Sequence, residues 1–430
     1  MDNFAADVVV IGAGIVGCAT AWYLARRGAS VIVVDRGNVG DEQSSRAWGF
    51  VRQQGRYPAE LPLMIEGNRI WSRLSEDLDA DIEWVQQGNL GLAADEERME
   101  RFNGWLPIAR EFGLDTRILT RAQILDLVPS MTGSYIGGMF TPGDGHAEPK
   151  TATLALARAA ERAGARIMTR CAAEGIELTA GSVSAVLTER GPIRTRTIVC
   201  GAGANSGRIA RMAGLSLPQL VVRATVAETT PAAPVTGIGV WAPGVAFRQR
   251  QGGSIYIAGG AQSDYDLTLD SVRYARHFLP NYLKNRRLFQ LRVNRALRDD
   301  IARLIPGTEA RRHPFSVDAG VEPEPNPNTA VQSLLGLHAL VPPVENTRIR
   351  RLWAGLIDTT PDALPVLGPV DTPKGFVFAT GFSGHGFALG PVAGKLVSEL
   401  ILDGQSSIDI YPLTYSRFKE GRAGKPKNVL

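Results

Sequence analysis

Short β-branched apolar runs alternate along the chain with longer stretches of helical periodicity, and that alternation predicts an α/β fold. Val8-Val9-Val10-Ile11 reads as a fully buried strand, and Gly12-Ala13-Gly14-Ile15-Val16-Gly17 follows it directly. Apolar positions at Ala19, Trp22, Tyr23 and Leu24, then Arg26, Arg27 and Gly28, mark a helix and its stop. Val31 to Val34 repeats the buried-strand pattern and ends at Asp35. Farther on, the spacing predicts helices over 61–78, 96–112 and 120–127, with a strand over 89–94 between the first two. Pro149 sits where a proline opens a helix, so 147–163 is expected to be helical. Segments 166–169, 182–187 and 194–199, separated by turn residues, predict a small antiparallel meander. Strands at 221–228, 245–249 and 254–258 and helices over 271–291 precede a proline-rich surface loop at 321–328.

These elements divide into two expected domains. A Rossmann-like nucleotide-binding domain with the β-meander takes 1–88, 147–218 and 348–410. A substrate domain of antiparallel sheet with flanking helices takes 89–146 and 219–347, and 418–430 is expected to be a frayed tail. The length of 430 residues supports this division, because it exceeds what one compact core usually carries.

Composition narrows the function classes. A net charge of +4, from 47 basic and 43 acidic residues dispersed along the chain, is too small a bias for a nucleic-acid footprint. Cys18, Cys171 and Cys200 are far apart and have no metal-ligand spacing, which argues against a zinc site or a disulfide framework and fits a reducing cytoplasm. The opening residues lack the basic start of a signal peptide, and no stretch is apolar enough to span a bilayer.

The motif with the most chemistry is strand, Gly12-x-Gly14-x-x-Gly17, helix, strand, Asp35. Gly12 permits the tight turn, Gly14 lets backbone approach a pyrophosphate, and Gly17 lets the helix pack on the strand. Ile15 and Val16 begin the helix, whose free N–H groups and positive dipole end face the phosphates. Asp35 is placed to accept the ribose hydroxyls of an adenosine. The motif alone fits FAD and NAD equally. Gly201-x-Gly203 lacks a third glycine, so no second dinucleotide site is expected.

Trp353-Ala354-Gly355-Leu356, Thr360-Pro361-Asp362, Leu364-Pro365-Val366-Leu367-Gly368 and Gly381-Phe382-Ser383-Gly384-His385-Gly386-Phe387 resemble the C-terminal signature of the D-amino-acid oxidase superfamily. The similarity is to its branch of sarcosine oxidases, dimethylglycine dehydrogenases, glycine oxidases and opine-oxidising subunits, and it covers nearly the whole chain. The resemblance implies FAD, bound non-covalently because no cysteine lies near Trp353 to Gly355. It implies that Gly381, Gly384, His385, Gly386 and Phe387 bring a helix, expected from Pro391 to Leu402, toward the flavin's pyrimidine edge. Ser44, Ser45 and Arg46 match the loop around the pyrophosphate and ribityl chain, Ala173 the adenine contact, and Gly201 and Gly203 the chain's later return to the cofactor. Arg36, next to Asp35, completes the expected cofactor set, while Ala204 departs from the family's usual tryptophan.

The resemblance further implies oxidation of a C–N bond in an amino acid or secondary amine to an imine that water hydrolyses. Both usual carboxylate anchors are replaced, by Ile357 and Ala388, which favours an N-alkyl amino acid or an opine-like substrate. Arg52 and Arg248 become the expected carboxylate-binding residues, with Arg56 a weaker third. Tyr256 takes the place of the family's oxygen-activating lysine, so O2 and a quinone or electron-carrier protein both stand as acceptors. Arg52, Arg248, Tyr256 and His385 form the expected catalytic set, with Trp48 and Tyr57 on the substrate side and no metal. Two other readings share the opening motif: a flavoprotein subunit within a homo- or hetero-oligomer that has no activity of its own, and a flavin monooxygenase.

Overall fold

The computed structural model describes residues 4–259, 263–286, 289–315 and 320–424. The opening motif sits at the centre of a six-stranded sheet, ordered Val366–Pro369, Phe376–Thr380, Thr197–Cys200, Val8–Ile11, Val31–Val34 and Arg166–Met168. All neighbours are parallel except the first pair. Val8–Ile11 and Val31–Val34 are buried at every position, which is why they read as unbroken apolar runs rather than alternating ones. Helices Ile15–Ala25, Pro149–Arg162 and Gly386–Asp403 cover one face. Gly394 permits the closest approach there, since a Cβ on it would lie 2.6 Å from the backbone carbon of Ala19.

The meander exists, with the expected strand at 182–187 at its centre but with different strands on either side of it. Arg166–Met168 and Thr197–Cys200 join the parallel sheet, whereas Ala173–Thr179, Ser182–Thr188 and Gly191–Arg194 form the antiparallel unit, completed by Phe4–Ala5. Ala173–Thr179 is half solvated and carries Glu174, Gly175 and Glu177, so its apolar signal is weak.

The second sheet has ten strands and includes Asn89–Ala93, Gly137–Thr141, Leu220–Thr229, Gly239–Ala242, Val245–Gln249 and Ile255–Ala258. Leu220–Thr229 pairs antiparallel along its length with Ile349–Thr359. The Trp353 to Leu356 segment, expected in the nucleotide-binding domain, therefore lies on this sheet. Pro327–Leu340 packs on the sheet, closing a core that includes Val240, Phe247, Ile257 and Leu337. The helical expectation over 271–291 resolves into Leu269–Arg273, Ala275–Asn285 and a strand, Phe289–Arg292, with 287–288 outside the described residues.

The chain past Tyr411 is docked through Leu413, Tyr415 and Arg417. Tyr415–Phe418 is a 3-10 turn whose Arg417 is buried and bonds Asp362 through Nε at 2.8 Å and Nη2 at 3.0 Å. The expected tail begins just past this anchor: Phe418 closes the turn, Arg422 Nη2 donates to Ser416 Oγ at 3.0 Å, and 425–430 lies outside the described residues.

Candidate active site

A cavity of about 1100 Å³ runs between the two sheets, from Gly12, Gly14 and Asp35 at one end to Ser383, Gly384 and His385 at the other. At the first end Gly12 adopts φ +112°, and a Cβ there would collide with the Gly201 carbonyl. A Cβ on Gly17 would strike the Gly12 carbonyl, so this glycine serves helix packing and does not line the cavity. Gly14 does face it. Ser44 Oγ accepts the Ile15 N–H at 2.9 Å, and Ala13 and Gly37 donate backbone N–H groups to Asp35 at 2.6 and 2.7 Å. Burial pushes the Asp35 carboxyl up to about 6 despite those two bonds. These features fit an adenosine diphosphate: a side-chain-free turn at a helix N-terminus, and a carboxylate at the end of the next strand with lone pairs to spare for hydroxyl donors.

Ile15, Val16, Arg36, Ser44, Arg46, Ala173, Gly201 and Gly203 all line the same cavity. Ser45 does not. On the helical turn Gln43–Arg46 it points away from Ser44, and its hydroxyl donates to Glu42 O at 3.3 Å. Sequence reasoning missed what joins this loop to the far sheet. Asp358, at the end of Ile349–Thr359, accepts from Gln43 Nε2 at 2.9 Å, Gln219 Nε2 at 3.0 Å and Gly381 N at 2.9 Å. Gly381 thereby shapes the bend from behind, without lining the cavity.

At the other end, Ser383 (φ +51°) and Gly384 (φ +89°) turn the chain into Gly386–Asp403, with His385 at the N-cap. The helix starts well before Pro391, which lies inside it. Its positive end is accordingly at the cavity wall, where Gly386 and Phe387 also contribute. His385 Nδ1 lies 2.8 Å from Oε1 of Glu60, a carboxylate with no exposed surface. Burial, then Arg56, holds the imidazole below its ordinary value, so it is neutral at pH 7 with its proton on Nδ1 toward Glu60. Burial disfavours the Glu60 charge too, but His385, Arg56 and Arg52 together keep that carboxyl below its usual range.

Arg52 and Arg56 are buried in the wall beside this bend. Arg52 donates to Gln54 O at 2.5 Å and lies 4.9 Å from the Trp241 ring centre; Arg56 Nε donates to Arg52 O at 3.0 Å, and its Nη1 has no partner among the described residues. Neither makes an ion pair with a described carboxylate. Burial, then Arg56, pulls the Arg52 guanidinium down to about 9, so it still carries charge at pH 7. Asp144 fixes their loop by accepting the N–H groups of Gln53 and Gln54 at 2.7 and 3.2 Å. Trp48, Phe50 and Trp241 form an aromatic wall alongside.

Two expected substrate residues are elsewhere. Arg248 is fully buried, lies 3.1 Å from Glu148 Oε2, donates to Trp48 O, and stacks 4.6 Å from the Tyr256 ring centre. Tyr256 packs edge-on against Trp353 and donates to Glu148 Oε1 at 3.3 Å. Neither lines the cavity. The strand Val245–Gln249 is buried at every position and none of its residues lines the cavity. Tyr57 likewise stays out of the lining. Among the described residues no group of His, Cys, Asp and Glu is arranged to hold a metal, and no helix is long and apolar enough to cross a membrane.

The chain is 25% identical over 427 residues to mitochondrial sarcosine dehydrogenase of Mus musculus, covering 96% of this chain but only 41% of that protein. It is also 25% identical to glycine oxidase of Geobacillus kaustophilus, covering 96% and 97% of the two chains. The solved structure of L-amino acid deaminase from Proteus myxofaciens in complex with anthranilate superposes with a TM-score of 0.88 at 27% identity, covering 97% of this chain and 94% of that one. Residues 7–400 match a single family throughout, described as FAD dependent oxidoreductase, and with the cavity built as above the chain belongs to that family, whose cofactor is FAD.

Proposed function

We propose that this chain oxidises the C–N bond of an amino acid or secondary amine, of the N-alkyl or opine-like kind, with FAD held non-covalently. The observation that carries this reading is the pair Arg52 and Arg56, buried in the cavity wall beside the His385 bend, within the field of Glu60 and Asp144 but with no direct ion pair to a described carboxylate. Burying cations without a direct ion pair costs stability, and a site that binds a carboxylate recovers part of that cost only when occupied.

Gly12, Gly14, Ile15, Ser44 and Asp35 would hold the adenosine diphosphate, while Gly384, His385 and Gly386 would face the flavin's pyrimidine edge. Bound FAD supplies the two-electron acceptor for a hydride equivalent leaving a carbon bonded to nitrogen. Arg52 and Arg56 grip the substrate carboxylate and so fix the position of that carbon. With Nδ1–H committed to Glu60, His385 presents Nε2 as an acceptor, which takes a proton from the substrate ammonium and leaves a neutral amine. Trp48, Phe50 and Trp241 exclude water from the reacting end. Loss of a hydride from carbon and a proton from nitrogen leaves an imine, and water splits it into a carbonyl compound and an amine.

The test is a visible spectrum of the purified chain followed by anaerobic titration with N-substituted amino acids. Bleaching supports the reading, and recovery on admitting air separates O2 from a quinone or protein acceptor. A yellow protein that no amine bleaches, and that gains that ability only with a partner chain, supports the subunit reading instead.

A further inference from the structure

A third cation shares the cavity with Arg52 and Arg56. Arg98 stands in the first turn of Glu96–Glu111 and lines the same cavity, partly exposed. Its guanidinium lies 5.1 Å from the ring centre of Phe102, which is buried, and it forms no ion pair with a described carboxylate. A cation in a first helical turn opposes the helix dipole, so helix stability does not account for the residue there. Nor do the neighbouring acids contact the guanidinium directly, although Asp95 favours its charge. Asp95 is the helix N-cap and accepts the Arg98 backbone N–H at 2.9 Å, Glu60 is engaged by His385, and Asp144 is engaged by Gln53 and Gln54.

We infer that the substrate carries two carboxylates, the first held by Arg52 and Arg56 and the second by Arg98. This rests on the reading of the site as one for an amino acid or secondary amine. One carboxylate serves Arg52 and Arg56 and leaves Arg98 as a cavity-lining cation with no direct carboxylate contact, which a second carboxylate would supply. The field is shared: Arg56 and Arg98 both disfavour the charged form of Arg52. The substrate class that results is a secondary amine flanked by two carboxylated carbons, or an amino acid with an acidic side chain.

Non-oxidisable probes test this directly. Glutarate and butyrate are the all-carbon counterparts of iminodiacetate and sarcosine; adipate and pentanoate extend each by one methylene. The FAD-loaded protein is titrated with all four, following the flavin spectrum and binding heat. The expected result is that a diacid binds about tenfold tighter than its monoacid, the effect of one charge-assisted contact at a partly exposed site. Arg98→Gln should remove that advantage and leave monoacid binding unchanged, while Arg98→Lys keeps part of it. Equal binding of diacids and monoacids by the wild type, or an equal loss of both in Arg98→Gln, overturns the inference. The two readings fail separately. Diacid binding that depends on Arg98, with no amine able to bleach the flavin, leaves the second anchor standing and removes the reaction. Bleaching by sarcosine as effective as by iminodiacetate, untouched by Arg98→Gln, does the reverse.

Discussion

Glu60 Oε1 and His385 Nδ1 meet at 2.8 Å, tying the residue before the helix Leu61–Leu78 to the N-cap of Gly386–Asp403. Both side chains are largely withdrawn from solvent, and Trp71 Nε1 fastens the same two helices by donating to Ala388 O at 2.8 Å. The pair fixes which imidazole nitrogen carries the proton, so its loss is expected to alter proton handling more than folding. In Glu60→Gln the carboxylate that raises the His385 pKa is gone, and the pKa falls further below its ordinary value. If neutral His385 takes the substrate proton, the acid limb of kcat/KM moves to lower pH, and kcat drops about tenfold as ring orientation is lost. An acid limb that stays in place in this variant would falsify the assignment.

Asp35 gives a second pH dependence, of the cofactor and not of the reaction. Its pKa without FAD is raised to about 6 by burial, and ribose hydroxyls donating to the carboxylate favour the charged form. Binding then lowers the pKa and releases a proton, so FAD affinity is full above pH 6 and falls as pH drops through it. For the apoprotein the sign is opposite: a raised acid contributes stability at low pH that is lost as pH rises through 6. Fluorescence titration of FAD from pH 5 to pH 8 checks the first, and Asp35→Asn should flatten the profile while weakening binding throughout.

The adenosine end of the site was legible in the sequence because its parts are local. Gly12, Gly14, Gly17 and Asp35 are demanded by one turn, one helix packing and two adjacent strands. The His385 bend was legible only through its motif, since nothing local shows that 381–387 returns to the opening turn. Glu60, Asp358, Trp241 and Arg98 come from separate segments and meet only through tertiary packing, so no spacing announces them. Period-2 alternation assigns a strand residue to a face, but the face of Val245–Gln249 that carries Arg248 opens onto Glu148 and Tyr256. Ser44 and Ser45 parted for a related reason: adjacent residues on a helical turn point in different directions.

Arg248 accordingly predicts a stability phenotype. It bonds Glu148 in the interior, Arg250 Nε lies 2.9 Å from the same carboxylate as an ion pair, and Arg250 Nη2 bonds Glu83 at 2.7 Å, so the network joins the N-cap of the helix Pro149–Arg162 to the second sheet. Arg248→Met leaves Glu148 with one cation fewer and is expected to cost about 3 kcal/mol, as for breaking a buried pair. Thermal denaturation should show a lowered Tm, while the folded fraction binds butyrate with unchanged affinity. A selective loss of butyrate binding at unchanged Tm would return Arg248 to the substrate site.

Arg52→Met should separate binding from stability in the opposite sense. Arg52 faces the cavity, is disfavoured by Arg56 and Arg98, and lacks a described ion-pair partner. Removing it deletes a carboxylate contact, and KM for a carboxylated amine should rise about a hundredfold, with kcat changed far less because the contact exists before and during reaction. The same change relieves repulsion on Arg56 and the desolvation of a buried charge, at the cost of one bond to Gln54 O and the stacking on Trp241. Desolvation and repulsion outweigh those two contacts and the attraction of Asp144 and Glu60, so the Tm measured without substrate should not fall. Substrate-analogue protection gives the complementary reading. Butyrate should raise the Tm of wild type and fail to raise that of Arg52→Met, since a ligand stabilises only the state that binds it. A variant that loses stability and keeps its KM would place Arg52 among the structural arginines, alongside Arg248 and Arg417.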